Sequence, residues 1–405
     1  MHIILWGTVL LLLTVARAQT RMQSVGCRFP VMDMFGDPCP RHHDPVRRWK
    51  AEMKKEFRGQ ENAVQRVEKA FKVGLFFKNT PTMLHFSGPT GVGKSFMAML
   101  LAKAVFSRQQ GSSICGYLDL RMTVAMREVQ ESRAEEFMET YLLRPIVEQI
   151  AVCPTSIIVI DDIHFLDSKF LQRLRGIFDE HNPSLMCTTG TYAGKRWSTR
   201  DSFFIVTSDL DEKHSDLHAG LSPREAENVI RRLAKQVWGE HSHMTSLITL
   251  VPFLPLSQNS LVSIAERQVE KLHDLIVNML ARLRPNKRID WIGSVKYSKS
   301  LPSEIYMLKK DDTERFGARP INHYVEMHLH PLAIDIAEEL LAHGAKTRTS
   351  ESIFDSFLPN PMLKYVRTPV KLVNNVDIWL QGSEMKMAIE EINVNTKPTG
   401  EHTEL

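Results

Sequence analysis

Between Met83 and Phe106 the chain passes from an apolar stretch through Gly88-Pro89-Thr90-Gly91-Val92-Gly93-Lys94-Ser95 into a helix-forming run. The three glycines permit backbone conformations that turn several N–H groups into one concavity, and the N-terminus of the following helix adds its own donors. Such a nest takes phosphate. Lys94 would reach the outer phosphates of a nucleotide, and the Ser95 hydroxyl would ligate Mg²⁺. A second group of chemical residues is Ile157-Ile158-Val159-Ile160-Asp161-Asp162. Consecutive β-branched residues predict a strand buried on both faces, and open parallel sheets bind ligands at the carboxyl ends of their strands. On its own an Asp pair at a strand end is ordinary turn chemistry. Downstream of a phosphate loop it reads differently: Asp161 would hold Mg²⁺ through water and Asp162 would polarise an attacking water. Thr207-Ser208-Asp209 ends another apolar run, Phe203 to Val206, and is either a plain polar strand end or a group that orients that water.

Positioning these residues requires alternating strands and helices. A helix carrying Ala63, Val64, Val67, Phe71 and Leu75 follows Arg58-Gly59-Gln60. A strand is expected near Ile114 to Leu120, a helix over Arg133 to Ile150 and another over Ser168 to Phe178. A helix from Pro223 to Trp238 leads to an apolar stretch, Ser246 to Leu256. The alternation predicts an α/β sandwich around a mostly parallel sheet over residues 51–256. Beyond it, a long helix over Leu261 to Leu283, a helix opening at Arg315-Phe316-Gly317-Ala318-Arg319-Pro320, and strands near Val370 to Val373 and Asp377 to Leu380 predict a smaller domain over 257–390. Residues 19–50, with four prolines, read as an irregular lead-in, and 391–405 as a flexible tail.

With 405 residues, 43% hydrophobic and 24% charged, the chain can build two cores without disulfide staples. A net charge of +4 gives no support for nucleic-acid binding. The apolar run Ile3 to Val15 and Ala16-Arg17-Ala18 read as a signal peptide over residues 1–18. The final His402-Thr403-Glu404-Leu405 resembles a retrieval tail, and together they predict the endoplasmic reticulum lumen. In that oxidising compartment Cys27 and Cys39 suggest a local disulfide, with Cys115, Cys153 and Cys187 as buried thiols.

With these motifs in hand, the chain resembles the Clp-type branch of the AAA+ ATPases, and within it the torsins of the endoplasmic reticulum, from about Phe57 to Leu380. Gly88 to Ser95 looks like Walker A, Ile157 to Asp162 like Walker B, Thr207 to Asp209 like sensor 1 and Gly317-Ala318-Arg319 like the Clp sensor 2. The Arg58-Gly59-Gln60 turn is similar to the family's opening turn beside the adenine, and Val251-Pro252-Phe253-Leu254-Pro255-Leu256 is the most torsin-like stretch. The resemblance implies ATP and Mg²⁺ as cofactors, Asp162, Asp209 and Arg319 as groups acting on the γ-phosphate, a protein client and a homo-oligomer. It also departs from the pattern. Asp162 replaces the family's Glu, an arm shorter by roughly 1.3 Å; Asp209 replaces Asn; and Ser246 stands where Clp proteins carry an arginine finger, although Arg224, Arg231 and Arg232 lie upstream. Torsins obtain that arginine from membrane-tethered luminal partners, so such an activator is implied here. Arg319 matches Clp proteins where torsins have Lys. Between Tyr117 and Val129 no aromatic-glycine pore loop is evident. Slow, partner-stimulated hydrolysis coupled to protein remodelling is the main expectation. A Clp-like unfoldase and a nucleotide-binding scaffold with little hydrolysis are the alternatives.

Overall fold

A computed structural model describes residues 37–76, 81–110, 113–122, 134–166, 174–179, 181–210, 217–218, 220–239, 248–284, 289–291, 293–346, 370–372 and 374–391. The chain divides into two compact units, between Ser257 and Gln258.

In the first unit, β1 (Thr82–Ser87), β2 (Tyr117–Arg121), β3 (Ile157–Asp161), β4 (Phe203–Ser208) and β5 (Thr249–Pro252) form a five-stranded sheet in the order β2-β3-β4-β1-β5. Every pairing is parallel. The apolar run of β3 and all of β4 are buried, as continuous apolar strands must be when helices cover both faces. On one face Leu84, Phe86, Val159 and Ile205 pack with α1 (Pro45–Glu56), α2 (Glu61–Phe76) and α3 (Lys94–Val105). On the other, Met83, Ile158, Ile160, Phe204 and Val206 join a core that includes α6 (Pro223–Trp238) and the helical segment α4 (Ala134–Phe137), Met138–Leu143 and α5 (Arg144–Val152).

Several expectations need correction. Order begins earlier than residue 51: Asp44 Oδ1 accepts the Arg47 N–H at 2.9 Å and caps α1, and buried Trp49 anchors it. Pro45, read as a sign of irregularity, stands in the first turn, where its missing N–H loses nothing. The strand expected at Ile114 to Leu120 is divided by a turn at Cys115-Gly116, Gly116 having φ +89°. The helix expected over Arg133 to Ile150 widens to a π-helix at Met138–Leu143, just before Pro145, which has no N–H to close an α-type bond onto that turn. Of the helix expected at Ser168 to Phe178, Leu174–Phe178 is 3₁₀ and 167–173 lie outside the described residues.

Cysteine pairing also differs. Cys39 is joined to Cys153, a residue 114 positions away, and Cys115 is disulfide-bonded as well, so neither Cys153 nor Cys115 is a thiol. Backbone bonds from His42 N–H to Val105 O and Ser107 N–H to Pro40 O lay the Cys39 segment beside the end of α3, which brings it to the end of α5. The path of the chain, not nearness in sequence, selects the partner. Cys27 lies outside the described residues, and Cys187 is a buried thiol.

The second unit is built from α7 (Gln258–Glu270), α8 (Leu272–Leu283), α9 (Leu301–Phe316) and α10 (Arg319–Lys346) around Leu261, Ala265, Ile276, Leu280, Ile321 and Leu329. The single helix expected over Leu261 to Leu283 is two, parted at Lys271, whose ψ of −13° opens the turn. Strand β6 (Ile289–Trp291) pairs with β8 (Val370–Leu372), and β7 (Val295–Tyr297) with β9 (Asn374–Gln381). A further strand, β10 (Glu384–Glu391), forms a hairpin with β9. Among the described residues no helix is long and apolar enough to cross a membrane.

Candidate active site

The loop from Gly88 to Gly93 links β1 to α3 at the carboxyl edge of the sheet. Packing dictates its first glycine: a Cβ on Gly88 would stand 2.0 Å from the Phe253 carbonyl oxygen. Phe253 itself donates its N–H to Ser87 O at 2.8 Å and its buried ring lies against Phe86, so the loop's base is clamped from the β5 side. Gly93 takes φ +102°, a left-handed conformation that glycine adopts without a steric penalty. Pro89 and Val92 are buried, while Thr90, Gly91 and Gly93 are half-exposed around the mouth of the nest. Lys94 is buried, and its Nζ donates to Gly88 O at 2.6 Å and Pro89 O at 2.8 Å. The ammonium therefore closes onto its own loop. It must exchange those carbonyls for phosphate oxygens when a nucleotide enters.

Two strand ends converge beside it. Asp161 Oδ1, at the end of β3, accepts hydrogen bonds from Ser95 Oγ at 2.9 Å and from Thr207 Oγ1 at 2.5 Å. Thr207 Oγ1 in turn accepts the Asp162 N–H at 2.9 Å. A serine hydroxyl and a carboxylate held this close are hard oxygen donors of the kind Mg²⁺ selects, so the pair expected to serve the metal fits that ion. Asp162 sits at φ +62°, where aspartate is tolerated better than most side chains. The bond to Thr207 fixes that conformation and with it the start of the Asp162 side chain. Asp209 follows β4, and its N–H donates to His164 Nδ1 at 3.2 Å, which ties the sensor segment to the turn after Asp162.

The structure gives some residues at the site roles that the sequence did not assign. Thr207 is the bridge between the two aspartates. Asp119 on β2 has a buried Oδ1 with no partner, and burial, then the charge of Asp161, raises its pKa above the ordinary carboxylate value. The register that sets Arg121 opposite Asp161 puts Asp119 on the same strand face; no sequence motif marked it. Gln60, at φ +62°, grips the backbone after β5 with both ends of its amide: Nε2 donates to Leu254 O at 2.5 Å and Oε1 accepts the Leu254 N–H at 3.1 Å. The turn expected beside the adenine is thereby fastened to the Val251-to-Leu256 stretch. Tyr117 is half-buried in β2 against the core rather than presented on a loop. Arg319 opens α10 of the second unit and is exposed. Ser246 lies outside the described residues.

A phosphate loop between the second-from-edge strand and a helix, with paired aspartates on a nearby strand of an all-parallel sheet, defines an α/β P-loop nucleotide-binding domain. No protein-family model matches the chain. A probable ATP-dependent Clp protease ATP-binding subunit of Chlamydia pneumoniae is 24% identical over 310 residues, covering 71% of this chain and 33% of that protein. The chloroplastic chaperone protein ClpB2 of Oryza sativa subsp. japonica is 23% identical over 293 residues, 69% and 27% of the two chains. This chain spans about a third of the length of the curated relatives it matches. Among solved structures, the S. cerevisiae Hsp104–ADP complex superposes with a TM-score of 0.53 at 18% identity, over 73% of this chain and 40% of that one. The Hsp104:casein complex in its extended conformation gives 0.51 at 18% identity, over 73% and 48%. The fold is that of the Clp/Hsp104-type AAA+ ATPases.

Proposed function

We propose that this chain is an ATP-hydrolysing AAA+ protein whose nucleotide cycle drives protein remodelling in the manner of a Clp-like unfoldase. The observation that carries the ATPase reading is the convergence of Ser95 and Thr207 on Asp161 beside a complete phosphate loop. Similarity to ClpB chaperones, and a fold shared with Hsp104 solved in complex with casein, support a polypeptide client. They favour the unfoldase reading over a torsin-like one.

In this mechanism the loop N–H groups and Lys94 bind the β- and γ-phosphates, and the helix start of α3 adds its dipole. Ser95 and Asp161 would hold Mg²⁺, which would supply neutralisation of phosphate charge. Asp162 orients a water in line with the γ-phosphorus and takes its proton as the P–O bond to ADP breaks, leaving ADP and phosphate. Thr207 keeps both aspartates in register. Asp162 is one methylene shorter than the Glu of the family pattern, so slow turnover raised by an activator is part of the proposal.

A luminal, torsin-like setting is a second reading, and the Cys39–Cys153 bond favours it, because structural disulfides persist in oxidising compartments. There a membrane-tethered partner would supply the missing arginine. Purified full-length protein decides between these readings. Lys94→Ala should abolish ATP binding, whereas Asp162→Asn should bind ATP and stop turnover. ATP-dependent unfolding of a tagged substrate by the protein alone supports the unfoldase; turnover only with solubilised membrane partners supports the luminal switch. Tight ATP binding with no turnover in either condition makes the chain a scaffold.

A further inference from the structure

The face of the sheet beneath α6 carries a polar chain that the nucleotide chemistry leaves unused. His85 is completely buried on β1, two residues before Ser87, and β1 pairs with β4 so that Ser87 stands opposite Ser208. His85 Nε2 lies 2.7 Å from Ser208 Oγ, and Ser208 Oγ donates to Ser87 Oγ at 3.0 Å. A hydroxyl has one proton to give. Ser208 gives it to Ser87, so the proton shared with His85 belongs to Nε2. Burial first, then the charges of Lys94, Arg231 and His164, push the imidazole pKa down to about 3, and the ring is neutral. A neutral ring protonated at Nε2 leaves Nδ1 as a bare acceptor, and that atom is buried without a partner. Across from it stands Trp238, the last residue of α6 and only 4% exposed, whose Nε1–H is also buried without a partner. The two ring centroids are 6.0 Å apart. Cores rarely keep one orphan acceptor and one orphan donor side by side.

We infer that Trp238 Nε1–H and His85 Nδ1 are joined through one buried water, making His85 a positioning residue that couples α6 to the strand ends holding the γ-phosphate groups. The span suits a water with a donor on one side and an acceptor on the other. At its far end the chain reaches the site twice. Ser208 O accepts the Gly88 N–H at 3.2 Å, at the root of the phosphate loop, and the neighbouring Thr207 Oγ1 donates to Asp161 and accepts the Asp162 N–H. The outer side of α6 is open, with Arg231 41% and Val237 49% exposed. The hydrogen bond rests on geometry alone; its effect on turnover rests on the ATPase reading above.

The test uses the full chain labelled with ¹⁵N at its indoles, with Trp238→Phe identifying the Trp238 signal. His85→Gln keeps a donor for Ser208 but moves the remaining acceptor, its Oε1, off the Nδ1 position that faces Trp238, whereas His85→Leu removes donor and acceptor together. Both substitutions should shift the Trp238 indole signal and speed its solvent exchange about tenfold or more. Trp238→Phe and His85→Gln should each lower kcat about tenfold with KM for ATP unchanged, and the double variant no further, because both break the same bond. His85→Leu should be slower still. An indole signal that ignores His85→Gln, or losses that multiply in the double variant, overturns the inference. If wild-type protein binds ATP without turning it over, the ATPase reading fails, and the indole signal still decides the hydrogen bond. Should His85→Leu not fold, the Gln and Phe variants carry the test alone.

Discussion

Replacing Thr207 by Val probes the geometry of the site most directly, because Val keeps the shape of Thr and removes only its hydroxyl. That hydroxyl donates to Asp161 Oδ1 and accepts from the Asp162 N–H. Loss of the first bond, to an ionised group, costs about 1.5–3 kcal/mol, and the second about 1 kcal/mol. The second loss is compounded by the left-handed conformation of Asp162, which its surroundings must enforce. Thr207→Val should therefore lower stability by about 2–4 kcal/mol. Its effect on chemistry should be larger than its effect on binding. The loop N–H groups and Lys94 are untouched, so ATP affinity should stay within about threefold, whereas a carboxylate displaced by an ångström costs about a hundredfold in turnover. The assays are fluorescent-nucleotide titration, steady-state phosphate release and thermal unfolding, with Thr207→Ser as the rescue. If Thr207→Val turns over ATP at the wild-type rate, the bridge has no catalytic part. If affinity falls as far as turnover, the hydroxyl serves binding, and the division of labour between phosphate loop and strand ends is wrong.

Cys39→Ser opens a covalent loop of 114 residues, for which chain entropy predicts a loss of about 4–5 kcal/mol and a Tm lower by on the order of 10 °C; an unchanged Tm, with Cys39 alkylatable in wild-type protein, would count against the bond. Asp119→Asn tests the half-satisfied carboxyl on β2, whose Oδ2 accepts from Arg121 Nε at 3.4 Å while Oδ1 has no partner. Its pKa is raised by burial and by Asp161, so its ionisation opposes folding above the ordinary carboxylate range. The Asn variant should be more stable than wild type at pH 7, with the difference closing as the pH falls toward 3. His85 works with the opposite sign of charge: its folded pKa of about 3 lies below the ordinary 6.5, so the unfolded chain gains the proton first. The fold should lose about 2 kcal/mol from this one group between pH 8 and pH 5. His85→Gln should flatten that part of the stability curve, and an identical pH profile in both proteins refutes the assignment.

Gly88 to Ser95 was legible because a phosphate loop is written in contiguous residues: every group that shapes the nest sits in one stretch whose backbone does most of the work. Asp161 was legible for a similar reason, since an all-β-branched run announces where a buried strand ends. Thr207 was visible only as part of a polar strand end, because its role depends on β4 lying beside β3, and no local pattern encodes which strands become neighbours. Asp119, His85 and Trp238 belong to the same class of invisible residues. A histidine inside an apolar strand and a tryptophan at a helix end read as core, and they are core; what the sequence cannot show is that the fold leaves one nitrogen on each unpaired and sets the two rings together. The disulfide misreading has the same origin. Cys27 and Cys39 are near in sequence, but the Cys39 segment runs along the end of α3 to Cys153 at the foot of β3, the strand that ends in Asp161 and leads into Asp162. That bond anchors the amino-terminal segment to the end of β3 opposite the site. The site's rigidity thus comes from contacts made at both ends of the central strands, and substitutions far from the phosphate loop should register there as changes in turnover before they register as changes in ATP affinity.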